Sequence, residues 1–157
     1  MRINKTDYAD IQYPVWWDTT ITLFNKYTDP LTYVVKWYKT ILPLCFWKSS
    51  NNRVTIGNTE LQTDDVICRV RKSNKYKSKA EWVELPNDEM GEYFTFSEGD
   101  IIIIGDIPDE INEREKGKKS TEIIAKYKGL QACIVVKSFS DNTGAGRVYP
   151  HYFIDGE

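Results

Sequence analysis

At 157 residues with a formal net charge of −2, the chain is long enough for one domain with a real core and too short for two comfortable ones. The near-neutral balance gives no global field toward nucleic acid or a membrane surface, and no apolar run approaches the roughly 20 residues that a membrane-spanning helix needs. Five Trp, ten Tyr and six Phe suit a β-rich chain, or one that buries much of its surface in an assembly.

Residues 1–14 are polar and mixed, and read as a flexible N-terminal arm whose removal costs the monomer little; residues 15–157 read as a single β-barrel-like domain. The first residues lack the apolar core of a signal peptide, so the chain is expected to be soluble and intracellular when made. Trp16 and Trp17 follow Pro14. In an extended chain they point to opposite sides, so one is expected in the core and the other at an assembly interface.

Ile21 and Leu23 alternate within Thr20–Phe24, a strand pattern, and Asp29-Pro30 makes a turn. Tyr33, Val35, Trp37 and Ile41 then share one face of a second strand, and the two read as an antiparallel hairpin. Leu44-Cys45-Phe46-Trp47 is a further apolar run, closed by a predicted loop at Ser49–Asn52. Gly57-Asn58 between Val54–Ile56 and Thr59–Leu61 is the chemistry of a tight hairpin. Val66, Cys68 and Val70 alternate with Ile67, Arg69 and Arg71, a half-buried strand that leaves basic side chains outside. It runs into a long basic loop at about 71–80 that has little to order it.

Glu81–Pro86 and Tyr93–Phe96 re-enter the core and lead to Ile101-Ile102-Ile103-Ile104, set between Gly99-Asp100 and Gly105-Asp106. Four consecutive β-branched residues between turns read as a strand covered on both faces. Asp106–Lys119 is a polar surface excursion. Residues 120–128 form the one expected helix, with Ser120 as N-cap, lysines near the C-terminal end and Gly129 beyond. Cys133–Phe139 and the stretch holding Val148, Tyr152 and Ile154 supply the last strands, joined through the glycine-containing loop Asp141–Gly146. The fold class is mainly β: a small antiparallel barrel or sandwich with one short helix.

The residues offer little chemistry. His151 is the only histidine, and Cys45, Cys68 and Cys133 are widely spaced within apolar runs, so they read as buried free thiols in place of a metal set. Asp106, Asp109, Glu110 and Glu113 lack the alternation of a calcium loop and read as a solvated acidic face. The Gly144/Gly146 pair precedes a strand, where phosphate-binding glycines precede a helix. No catalytic, cofactor-binding or metal-binding residue is assigned.

Charge is uneven along the chain. Residues 69–79 carry six basic side chains and no acid, whereas residues 81–115 carry twelve acids and one base. Arg71, Lys72, Lys75, Lys77 and Lys79, with Tyr76 available to stack, are candidates to line a DNA channel or to meet an acidic neighbouring subunit. The alternative reading of the same residues is a barrel that binds single-stranded nucleic acid.

The run from Val15 to Tyr27, Val35–Thr40, Cys45–Lys48, Leu85–Asp88, the Gly99–Gly105 strand and Asn142–Arg147 together resemble a family of small virion proteins of tailed phages and prophages of Gram-positive bacteria. The resemblance covers roughly residues 11–154. It implies a non-enzymatic head–tail connector component of the head-closure (stopper or neck) type, or another minor capsid or tail-completion protein. It further implies a homo-oligomeric ring, dodecameric or hexameric, between portal or adaptor and tail or tail-terminator proteins, with packaged DNA in its channel and no membrane partner. The expected location is the virion neck, after synthesis in the bacterial host cytoplasm.

Overall fold

Strands β1 (Thr19–Thr28), β2 (Val35–Ile56), β3 (Thr59–Arg71), β4 (Ile101–Ile104), β5 (Cys133–Asn142) and β6 (His151–Gly156) close into one antiparallel barrel in the order β1-β2-β3-β6-β5-β4. The computed structural model describes the backbone of residues 1–144 and 146–157, and their side chains except at 51–54 and 60–64. Two short helices accompany the strands: α1 (Lys79–Val83), which the sequence did not signal, and α2 (Ser120–Lys128), at the expected place.

β4 sits where the sequence put it. Ile102 points into the barrel with Ile21, Leu23, Phe94 and Ile134, while Ile101 and Ile103 point outward and are equally buried. What covers them is α2. Its Ile123 and Tyr127, one helical turn apart, join Phe24, Ile107, Ile111 and Cys133 in a second apolar cluster outside the barrel wall. The N-cap position of α2 is Lys119, not Ser120. The Lys119 N–H donates to Glu122 at 3.2 Å, and the Ser120 N–H to Glu113 at 2.9 Å. Nor does Gly129 take the left-handed conformation; Gln131 does, with φ 56°.

β2 is continuous where a loop was expected at Ser49–Asn52. It pairs with β1 up to Cys45, bulges opposite Thr19/Ile21, and turns at Pro43-Leu44, where Leu44 holds φ 58°. Beyond that corner it pairs with β3 down to the Ile56↔Thr59 turn, where Gly57 at φ 62° supplies the predicted hairpin geometry. β6 covers β3 only over Val66–Arg71. Residues 50–65 are therefore a two-stranded ribbon running past the barrel wall.

The N-terminal arm is a correction. Ile3 is 1% exposed and Tyr8 7%, both inside the main cluster. The Ile3 N–H donates to the Ile41 carbonyl at 2.9 Å, the Ile41 N–H to Met1 at 2.8 Å and the Ala9 N–H to Lys72 at 2.8 Å. Two widely spaced apolar side chains are enough to dock this polar segment, because each fills a gap that the strands leave open.

β6 closes the barrel by a near approach to β5. A Cβ on Gly156 would lie 2.8 Å from both Ile134 Cδ1 and the Val135 carbonyl oxygen, so only glycine fits there. Ala145, in the predicted glycine loop, lies outside the described residues.

Candidate functional site

The basic segment is not a free loop. Tyr76 pairs with Phe94 in an isolated bridge, and its ring packs against Tyr152 (centroids 4.2 Å), Phe94, Phe96 and Phe139. This aromatic plug is part of the barrel's main cluster, and burial holds the Tyr76 hydroxyl up at about 12. The ring is therefore not available to stack on a base.

Around the plug the segment is tied at several points. Ser73 Oγ donates to the Asp7 carbonyl at 2.9 Å, the Lys77 N–H to Phe94 at 2.9 Å, and Ser78 caps α1 by accepting from the Glu81 N–H at 3.4 Å. The lysines fan out from this frame. Lys75 and Lys77 lie over one Tyr93 ring at 5.6 and 4.9 Å, and Lys72 projects into solvent. Lys79 lies 4.8 Å over Trp82 and donates to the Lys26 carbonyl at 2.8 Å, with burial lowering its ammonium and Asp100 opposing that. So Lys72, Lys75 and Lys77 form a cationic edge, while Lys79 helps to anchor α1.

Arg71 departs further from expectation. It is 9% exposed, and its Nε donates to the Leu44 carbonyl at 2.8 Å and its Nη2 to Trp17 at 3.0 Å, with Tyr13 beneath the guanidinium at 4.8 Å. It belongs to the wall and cannot line a channel. Trp17 is buried beside it, at 3% exposure, whereas Trp16 is 64% exposed.

Trp17 belongs to a face that the residue pattern alone did not assemble. The Trp17 ring lies near Tyr13, Phe46, Tyr149 and His151 at 5.4–6.2 Å. On the outer side of the same sheet, Arg69 sits 5.0 Å from the Phe46 ring and 5.9 Å from Phe153. Register puts Phe46, Arg69 and Phe153 in one row across β2, β3 and β6. The outward half of the Cys68/Arg69/Val70 alternation was the available signal; the partners on β2 and β6 needed the register. The Arg69 Nε is buried with no hydrogen-bond partner among the described residues. The His151 Nδ1–H donates to the Tyr149 carbonyl oxygen at 2.7 Å, and burial, with Arg69 and Arg147 nearby, lowers its pKa from 6.5.

The predicted acidic face is a set of separate clasps. Asp106 pairs with Arg2, Glu110 with Lys39, Asp109 with Lys126 and the Tyr127 hydroxyl, Glu115 with Lys118, and Glu113 accepts from Trp37 Nε1. Among the described residues no group of His, Cys, Asp and Glu side chains is placed to hold a metal ion, and Cys45, Cys68 and Cys133 are buried and unpaired. Tyr13, Tyr8 and Ser73 instead tie the N-terminal segment to the basic segment and to Pro43 and Pro150.

Residues 16–157 match DUF6751, a family of unknown function. The chain belongs to that family. The matched span begins at Trp16 and takes in the whole barrel, both helices and the aromatic–arginine face, with residues 1–15 ahead of it. No curated protein and no solved structure matches the chain.

Proposed function

We propose that this chain is a non-enzymatic structural component of a tailed-phage head–tail connector, of the head-closure or stopper type. In this reading it assembles as a homo-oligomeric ring in the virion neck, between portal or adaptor and tail proteins, and helps to retain packaged DNA. The observation that carries the reading is the ribbon of residues 50–65. A two-stranded ribbon is marginal by itself in water, and this one ends in Ile56 at 63% exposure; packing against a neighbouring subunit would cover both. The barrel interior, filled by side chains from Ile21 to Ile154, leaves the surface as the working part. The cationic edge of Lys72, Lys75 and Lys77 then faces either DNA in the channel or an acidic neighbour.

The single-stranded nucleic-acid reading loses its platform, because Tyr76 is packed in the plug and Tyr93 is already covered by two lysines. The test of the connector reading is the particle. Peptides of this chain are expected in gradient-purified virions at ring stoichiometry, with subunit density at the neck. Deletion of the gene is expected to give filled heads that leak DNA and free tails. Absence from particles, or normal particles without it, overturns the reading.

A further inference from the structure

We infer that the aromatic–arginine face around Trp16, Phe46, Arg69, Arg147, Tyr149 and Phe153 docks onto the acidic segment 81–92 of a second copy of this chain, head to tail. The inference rests on the ring reading and names the contact that would build the ring.

The face has the make-up of an interface centre. Tyr149, its ring 6.2 Å from the buried Trp17, is 41% exposed, and the chain neighbours Val148 and Trp16 are 76% and 64% exposed. Trp, Tyr and Arg are the residue types that dominate binding energies. Arg69 lies 5.0 and 5.9 Å from two phenylalanine rings, and its buried Nε lacks an acceptor among the described residues. Arg147 adds a second positive charge near His151. Asp155 lies on the same outward side of β6 as Phe153, and against this single neighbouring carboxylate the two arginines leave the row net positive, which suits an acidic partner.

Among the described residues one acidic surface is not already used. The acids of 106–115 are clasped by Arg2, Lys39, Lys118, Lys126 and Trp37. Glu81, Glu84, Asp88, Glu89 and Glu92 are all exposed, form no ion pair among the described residues, and have no base between them. Their segment is fixed to the barrel through buried Trp82 and Met90, with Trp82 Nε1 donating to the Met90 carbonyl at 3.1 Å, and it exposes Val83 at 39%. It is thus a rigid acidic ledge with an apolar tooth. The ledge packs on Tyr27 and Tyr38 at the far part of the β1–β2 hairpin, a different surface from the β2–β3–β6 face. Two complementary patches on different surfaces make a heterologous contact, which propagates from copy to copy, as a ring requires, instead of stopping at a two-fold dimer.

The test uses charge reversal and mixing on the full chain, followed by light scattering after size exclusion and by sedimentation, across concentration and salt. Wild type is expected to self-associate, less so at high salt. R69E/R147E and E84K/E89K are each expected to associate at least roughly tenfold more weakly. An equimolar mixture of the two is expected to regain association, because each supplies the face the other has reversed. W16S, at an exposed site, is expected to weaken association with an unchanged melting curve, which guards against R69E simply failing to fold. A wild type that stays monomeric throughout, or variants that associate as wild type, overturns the inference, as does a mixture that stays apart. Particle incorporation is scored separately. Virions containing a chain whose copies do not pair this way leave the connector reading standing and this contact gone. Paired faces in a chain absent from virions support the contact and remove the connector reading.

Discussion

Arg71 donates through Nη2 to the carbonyl oxygen of Trp17, 54 residues earlier in the chain, at 3.0 Å. This bond and the one to Leu44 make a basic residue the strut that holds the start of β1 against the corner of β2. Removing the guanidinium leaves buried carbonyls unpaired. Arg71→Met is expected to cost about 3 kcal/mol, and Arg71→Lys about half of that, read as a shift of the urea midpoint at constant slope. An unchanged midpoint for Arg71→Met would return Arg71 to the surface.

Deletion of residues 1–10 is expected to destabilise the monomer. Ile3 and Tyr8 leave the core, together with the backbone bonds to Ile41 and Lys72. At about 1.5–3 kcal/mol for each large apolar side chain, the loss is several kcal/mol, large enough to lower the melting temperature by roughly 10 °C in a domain of this size. A melting curve that does not move would show the segment to be dispensable.

Ile102→Ala and Ile103→Ala are expected to cost about 2–5 kcal/mol each, although the side chains face opposite ways. The first opens a cavity in the barrel, the second one under α2. If denaturant titration finds either variant near wild type, one of the two clusters is not a core.

The thiols report on opening. Burial pushes Cys45 up to about 12 and Cys133 up to about 11, and raises Cys68 in the same direction. All three are expected to resist alkylation at neutral pH until the chain unfolds, and labelling rates should follow the unfolding rate as denaturant is added. Rapid labelling of one thiol in native protein would locate a local opening there.

The Asp109 clasp carries an acid limb. The Tyr127 hydroxyl and then Lys126 hold its carboxyl below the ordinary 3.8. A depressed folded-state value means stability that is present above about pH 4 and is lost as pH falls through the lower folded value. Asp109→Asn is expected to flatten that part of the stability–pH curve by lowering the neutral plateau toward the acid value, a small drop for a clasp at the surface. An unaltered acid limb would mean that other carboxylates carry it.

How much of this was readable depends on whether a feature leaves a local pattern. Ile101–Ile104 was legible because burial on two faces removes alternation and leaves a bare apolar run. The Gly57-Asn58 turn and α2 were legible because turn and terminal chemistry is local. Ile3 and Tyr8 were not, since isolated apolar residues in a polar stretch have no period and their partners lie at Ile41 and Ser73. α1, at five residues, is too short to show a helical stripe, and Trp82 is its one buried residue. Ser49–Asn52 read as a loop because four consecutive short polar residues have turn chemistry and no apolar alternation. For the site, the sequence displayed the charges but not which were spent. Arg71 and Lys79 went to structure, Tyr76 to the plug, and Arg69 gained its neighbours only through register.

The closing strand also dictates when the molecule can finish folding. β6 is the last strand in chain order, and it must insert between β3 and β5. During synthesis β1, β2 and β3 emerge as a meander whose free edge stays open for some eighty residues, from Arg71 to His151. Loop-closure entropy makes so distant a pairing slow, and an open strand edge is the usual seed of wrong association. Phe153 reaches Arg69 only when β6 is in place, so the aromatic–arginine face does not exist until the barrel is shut. Topology thereby withholds that surface from a half-made chain.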